Sequence, residues 1–238
     1  MKPNFKTPSI DWPYKFQAKL KMAKHPLIQS FYSHELPDKN TPLNEVEFLA
    51  IDYETTGLNI DKDEIITIGA VPFTLNRIYL NRARHWTVRP RQKLNEDSVI
   101  IHGITHSDIM DAPDLSEIMA DVLEIMQGKV MVVHYRKIER ELLDKALRRR
   151  INEGIEFPVI DTMTLEQLIQ HRDSGGLWNW IKGKKPQSVR LGQSRQRYSL
   201  PPYTPHHALT DAIATAELFQ AQIAHHFSKQ DPLHNYWL

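Results

Sequence analysis

The sequence predicts an α/β domain, and three observations carry that prediction. Short apolar runs of strand length recur at 46–51, 130–133 and 157–160. Longer stretches with helical spacing stand beside them, at 112–128, 136–150 and 207–227. Glycine and proline gather between these stretches and mark connections. Such an alternation of strand and helix signals is the pattern of a sheet flanked by helices.

Length and composition set the frame. The 238 residues suffice for one full domain with extensions, or for two small ones. A content of 41% hydrophobic and 25% charged residues is that of a soluble globular protein. With 30 Lys+Arg against 29 Asp+Glu, the net charge of +1 selects no partner. There is no cysteine, which excludes disulfides, thiol chemistry and thiolate zinc sites and is compatible with a reducing compartment. No apolar stretch approaches the roughly 18 residues that a membrane span needs. Residues 1–10 carry two prolines and no apolar core, unlike a secretory signal. A cytoplasmic location and no membrane partner are expected.

Residues 1–45 read as a separate basic arm. They hold six of the 15 prolines, and residues 1–30 hold six lysines against one acid, Asp11. A short helix is predicted over Lys15 to Lys24, with Pro13 suited to its start and Pro26 just past its end. Two readings follow: an arm packed on the main domain through Trp12, Tyr14 and Phe16, or extra basic surface for nucleic acid.

The main domain is expected over 46–227. Strands are predicted over 46–53, 64–72 and 78–88, joined by short polar turns that favour hairpins. Arg77, Arg82, Arg84, Arg89, Arg91 and Lys93 add positive charge with no acid between 77 and 93. A looped piece, Asp97 to Thr105, precedes the helix at 112–128, whose Leu115, Ile118, Met119, Val122, Leu123 and Met126 recur at helical spacing. The run Val130-Met131-Val132-Val133 ends at His134, and a helix follows from Arg136 to Arg150. Another short strand, Phe157 to Ile160, ends at Asp161, and a helix follows from Thr164. Residues 171–205 form a looser region. Between 171 and 200 it carries seven Lys/Arg residues among Trp178, Trp180 and Tyr198. Such a mixture suits phosphate contact and base stacking, and equally a solvated loop pinned by its aromatics. A short helix is predicted over 189–198. Small residues in the last helix, 207–227, allow close packing on a sheet, and residues 228–238 form a tail.

Chemistry is concentrated at Ile51-Asp52-Tyr53-Glu54-Thr55-Thr56-Gly57. Alternation along a strand sends Asp52 and Glu54 to one side. Two carboxylates that close either are solvated, share a proton, or hold a cation between them. Hard oxygen ligands suit Mg²⁺ or Mn²⁺. Glu139 and Asp211 are further acids at element ends, and His206 lies five residues before Asp211. Spacing alone does not bring these groups together.

The first stretch resembles the first motif of the DEDD-type 3′–5′ exonucleases, in the branch related to the proofreading subunit of bacterial replicative DNA polymerase. His102-Gly103-Ile104-Thr105 is similar to that branch's linking motif. Val133-His134-Tyr135-Arg136-Lys137-Ile138-Glu139 resembles the second motif. His206-His207-Ala208-Leu209-Thr210-Asp211-Ala212 resembles the third motif of the histidine-containing subclass. The four matches run in order over about 45–225. The resemblance implies a ribonuclease H-like fold with a five-stranded mixed sheet flanked by helices. It implies two divalent metals, Mg²⁺ or Mn²⁺, held by Asp52, Glu54, Glu139 and Asp211. Asp52 would bridge both ions, while Glu54 and Asp211 would serve the ion on the nucleophile side. His206, not His207, matches the general base. Thr55, Thr56 and Gly57 would line the terminal nucleotide.

Three departures from the family pattern stand in the second motif. The family has Asp where Glu139 stands, Asn where Tyr135 stands, and commonly Phe or a similar residue where Ile138 stands. A glutamate is one methylene longer and changes where its oxygens reach. Tyr135 could stack on a base or fill space beside the sheet. The resemblance implies hydrolysis of single-stranded nucleic acid from 3′ ends, DNA over RNA, with release of 5′-mononucleotides, and a polymerase or repair protein as a possible partner. The alternative is a nucleic-acid-binding or adaptor module of the same fold with weak or lost catalysis.

Overall fold

The structure is a computed structural model that describes residues 10–57, 59–91, 109–173 and 187–238. The linking motif at 102–105, together with Trp178 and Trp180 of the basic aromatic region, lies outside the described residues.

Two helices come first, α1 (Trp12–Met22) and α2 (Pro26–Ser33). Asp11 caps α1 by accepting from the Tyr14 N–H, and a proline opens each helix, where its missing N–H costs nothing. Trp12, Phe16, Phe31 and Tyr32 are buried in the same core as the sheet, whereas Tyr14 is 73% exposed. Edge-to-face contacts tie Phe16 to Trp12 and Tyr32. Arm lysines are partly neutralised by acids: Lys15 and Lys19 reach Glu156, and Lys39 reaches Asp11.

The sheet is built from β1 (Phe48–Thr55), β2 (Ile65–Thr74), β3 (Arg77–Ile78), β4 (Arg84–Thr87), β5 (Val130–Val133) and β6 (Val159–Asp161). Strand order is β3-β2-β1-β5-β6, and β4 also pairs with β2. The strand expected over 78–88 is therefore two short pieces on one edge of β2, split by a 3-10 turn at Leu80–Arg82. The sheet is five strand positions wide although six segments build it. β1 runs antiparallel to β2 and parallel to β5, and β5 runs parallel to β6, so the sheet is mixed.

Helices α3 (Leu115–Met126), α4 (Arg136–Ile151), α5 (Thr162–Asp173), α6 (Leu191–Arg197) and α7 (Ala208–His226) flank the sheet, with short 3-10 turns at Leu43–Glu45 and Leu233–Asn235. α7 lies along β1 and β2, where Phe48, Phe73 and Phe219 form an aromatic contact. The tail folds back: Leu238 donates its N–H to the Val159 carbonyl at 2.8 Å, and Tyr236 and Trp237 are buried. Among the described residues no helix is long and apolar enough to cross a membrane.

Candidate active site

The site forms where β1 outruns its parallel neighbour. Pairing of β1 with β5 ends at Ala50, opposite Val132, while β1 continues to Thr55. Asp52 and Glu54 lie on that overhang. Crevices at the carboxyl ends of parallel strands are where α/β sheets place ligands. Both side chains share the face of Phe48, the face on which α7 packs.

Gly69 decides how close α7 comes. It is the ladder partner of Asp52. A Cβ on Gly69 would meet the Ala208 and Leu209 backbone at 2.2 Å. Absence of that atom lets the first turn of α7 rest on the sheet beside Asp52, and Asp211 is in that turn. As a result Asp52, Glu54 and Asp211 offer oxygens that all lie within 4.8 Å of one another.

Electrostatics there are unfavourable to three bare charges. Burial, then the charges of Glu139, Asp211 and Glu54, push the Asp52 carboxyl well above its ordinary range. Burial also raises Asp211, opposed by the facing Tyr203 hydroxyl and by the His206 N–H. Glu139 is buried in the first turn of α4 and is raised by burial and by the Asp161 charge. Glu139 Oε2 and Asp211 Oδ1 are buried with no hydrogen-bond partner among the described residues. Orphaned carboxylate oxygens around a crowded acidic floor fit a hard divalent cation. Glu139 acts on Asp52 electrostatically but stands outside the tight three-residue group.

The two histidines before α7 are in different situations. His207 is the N-cap, its ring accepting from the Thr210 N–H, and it stacks on His85 at 4.7 Å. His206 lines the cleft with the acids. Its backbone adopts φ 70 and donates its N–H to Asp211 Oδ2 at 2.8 Å.

Around the floor, Thr55 and Thr56 are buried with their hydroxyls spent on the turn. Thr55 donates to the Gly57 carbonyl at 2.7 Å and Thr56 to Asp63 at 3.0 Å. Tyr135 is 41% exposed, so it does not fill space beside the sheet. It begins α4 at φ 100.

A family model described as RNase_T, Exonuclease, matches residues 49–219. The chain belongs to the DEDDh-type 3′–5′ exonuclease family. The DNA polymerase III subunit epsilon of Treponema pallidum is 31% identical over 182 residues, covering 76% of this chain and 78% of that protein. The PolC-type DNA polymerase III of Thermotoga maritima is 27% identical over 184 residues, which is 77% of this chain and only 12% of that much longer protein. In fold, the exonuclease is similar to the nuclease domain of 3′hExo, a DEDDh family member solved with bound rAMP. The TM-score is 0.58 at 14% identity, covering 75% of this chain and 92% of that one. This exonuclease is metal-dependent and acts on nucleic acid from the 3′ end, and its carboxylate cluster can coordinate a divalent ion.

Four residues of the exonuclease site escaped the sequence reading. Gly69 is one. Asp161 accepts from the Tyr135, Arg136, Met163 and Thr164 N–H groups and so fixes the starts of α4 and α5. An acid ending a short strand just before a helix is a capping signal that could have found it. Tyr203 faces Asp211 without a fully formed hydrogen bond. Arg195 is buried; it donates to the Ala214 carbonyl at 2.8 Å and to the Pro201 carbonyl at 3.0 Å, and pairs with Glu217 at 2.7 Å. Nothing in local sequence marks Tyr203 or Arg195, because their partners are set by the α6–α7 packing.

Proposed function

We propose that this exonuclease hydrolyses the last phosphodiester of single-stranded nucleic acid, DNA in preference to RNA, and releases 5′-mononucleotides. The observation that carries the reading is the convergence of Asp52, Glu54 and Asp211 within 4.8 Å beside His206. Relatives that are DNA polymerase III subunits support DNA as the substrate and a polymerase as a partner.

Asp52, Glu54, Asp211 and, from α4, Glu139 are the groups that would hold two Mg²⁺ or Mn²⁺ ions. Such ions supply charge stabilisation for the attacking and leaving oxygens. His206 takes the proton from the attacking water, which a neutral imidazole near pH 7 can do. The Asp211 bond to the His206 N–H keeps that residue at the cleft. Thr55, Thr56 and Gly57 shape the wall for the terminal nucleotide. Tyr135, exposed at the start of α4, is available for stacking.

A second reading has one specific motive. Glu139 replaces the shorter acid of the family pattern and stands outside the three-residue cluster, which fits a binding module with weak catalysis. Incubation of the protein with 3′-labelled and 5′-labelled oligonucleotides, with Mg²⁺ or Mn²⁺ and with chelator, tests both. Chelator-sensitive shortening from the 3′ end is expected. Binding without release under either metal would establish the second reading instead.

A further inference from the structure

The cleft above the acids has a volume of about 720 Å³ and is walled on one side by α6. This short helix is two-faced. Ser194 and Arg195 are buried against the body. Arg190, Gln193 and Gln196, spaced by three, are exposed and line the cleft. Gln193 and Gln196, three apart, share one side of the helix, and Arg190, the residue just before its start, lines the same cleft, so the three form a polar rim above the carboxylate floor.

Charge makes that edge informative. A nucleic-acid strand must lie over an acidic floor that repels it. The arginines in the cleft wall are Arg190 and Arg195, and burial disfavours the charged form of the His134 imidazole beside them. His134 is held between the Thr162 hydroxyl at 2.8 Å and the Val189 carbonyl at 2.9 Å. Arg195 is engaged by Glu217 and two carbonyls, which bolts α6 to the helix carrying Asp211. Arg190 differs. Its backbone N–H donates to Ser188, and its guanidinium has no partner among the described residues. An exposed guanidinium with no carboxylate partner among the described residues, beside a site for a polyanion, is suited to bidentate contact with a phosphate.

We propose that Arg190 binds a phosphate of the single strand upstream of the scissile bond, with Gln193 and Gln196 making sequence-tolerant hydrogen bonds along the same rim. The proposal rests on the exonuclease reading of the cleft. Because Arg195 fixes α6 to α7, the rim keeps a set distance from the floor and positions the strand. Phosphate contact positions a strand without reading its bases.

The test is equilibrium binding of a labelled oligothymidylate with phosphorothioate linkages, followed by fluorescence anisotropy over a salt series with Mg²⁺. Arg190→Gln is expected to weaken binding about tenfold. It should also lower the slope of log affinity against log salt by about 0.7, the value for one phosphate contact on a single strand. A mixed-sequence oligonucleotide should show the same loss. Arg190→Lys should keep the slope, and Arg148→Gln, at an arginine paired with Asp144 and absent from the cleft lining, should change neither quantity. An unchanged slope and affinity in Arg190→Gln, or no binding by the natural protein, overturns the proposal. Failure of the hydrolytic reading is seen separately: unmodified 3′ ends stay intact with Mg²⁺ or Mn²⁺ while the Arg190→Gln slope still falls.

Discussion

Gly69 stands directly across the β1–β2 ladder from Asp52, and the backbone of Ala208 and Leu209 occupies the space where its Cβ would be. One missing methyl group therefore sets how near Asp211 comes to Asp52. Gly69→Ala forces α7 outward. Overpacking of this kind costs about 1–3 kcal/mol. A misplacement of about 1 Å at reacting groups costs about 10²-fold in rate. Thermal denaturation and 3′-end hydrolysis should both fall, and an unchanged rate would remove Gly69 from the site.

Proton linkage at the acidic floor has a definite sign. Asp52 and Glu139 hold their protons in the folded state at pH values where the unfolded chain has lost them. The folded state then binds more protons, so stability falls as pH rises above the ordinary carboxylate range. Divalent ions need the deprotonated groups and reverse the trend. Melting curves over about pH 5–8 should show a metal-free Tm that declines and a Mn²⁺-induced rise in Tm that grows with pH. Asp52→Asn should raise the metal-free Tm and abolish the metal effect.

His206 permits a clean separation of backbone from side chain. Its φ of 70 lies in the region glycine adopts without strain. His206→Gly should leave the Tm unchanged or slightly higher while lowering kcat by about 10²–10⁴, the usual contribution of a general base. His207→Ala should do the reverse, costing about 1 kcal/mol through the lost cap with a smaller effect on rate. Equal rate losses in the two variants would contradict the assignment of His206.

Glu139 reaches the site from a helix whose start is pinned by Asp161. Since the backbone is held, Glu139→Asp draws the carboxylate back by one methylene. A loss of about tenfold in rate is expected, in line with sub-ångström to ångström misplacement. A gain would show that the longer side chain hinders the natural protein.

Tyr203 faces the Asp211 carboxylate and lines the same cleft. Tyr203→Phe removes the hydroxyl and keeps the ring over which Arg195 sits, 5.0 Å from its centre. Hydrogen bonds to charged groups contribute about 1.5–3 kcal/mol when fully formed. The looser approach here should yield a three- to tenfold loss in Mn²⁺ affinity, read by titration calorimetry, with Tm nearly unchanged.

How much of this was legible beforehand follows from the range of each interaction. Period-two and period-3.6 patterns are local, so the strands at 46–53 and 130–133 and the helices at 136–150 and 207–227 were readable to within a few residues. Third-strand continuity was not, because the turn at Leu80–Arg82 interrupts an otherwise strand-like run. The helix of Pro26–Ser33 was missed too, since its apolar residues follow a proline that looked like a stop. Motif order named Asp52, Glu54, His206 and Asp211, because their chemistry is carried by residue type.

The sequence by itself thus determined the α/β class, the carboxylate and histidine inventory, and the single-sidedness of Asp52 and Glu54, all of which depend on neighbours in the chain. Only the tertiary structure decided that Asp211 joins them across Gly69. It also decided that Glu139 acts on Asp52 from outside the three-carboxylate group, that His207 is a cap, and that Arg190 faces the cleft. Those outcomes depend on the distance between α7 and β2, on the anchoring of α4 by Asp161, and on the locking of α6 by Arg195. Each is a contact between residues far apart in the chain, set by close packing rather than by spacing.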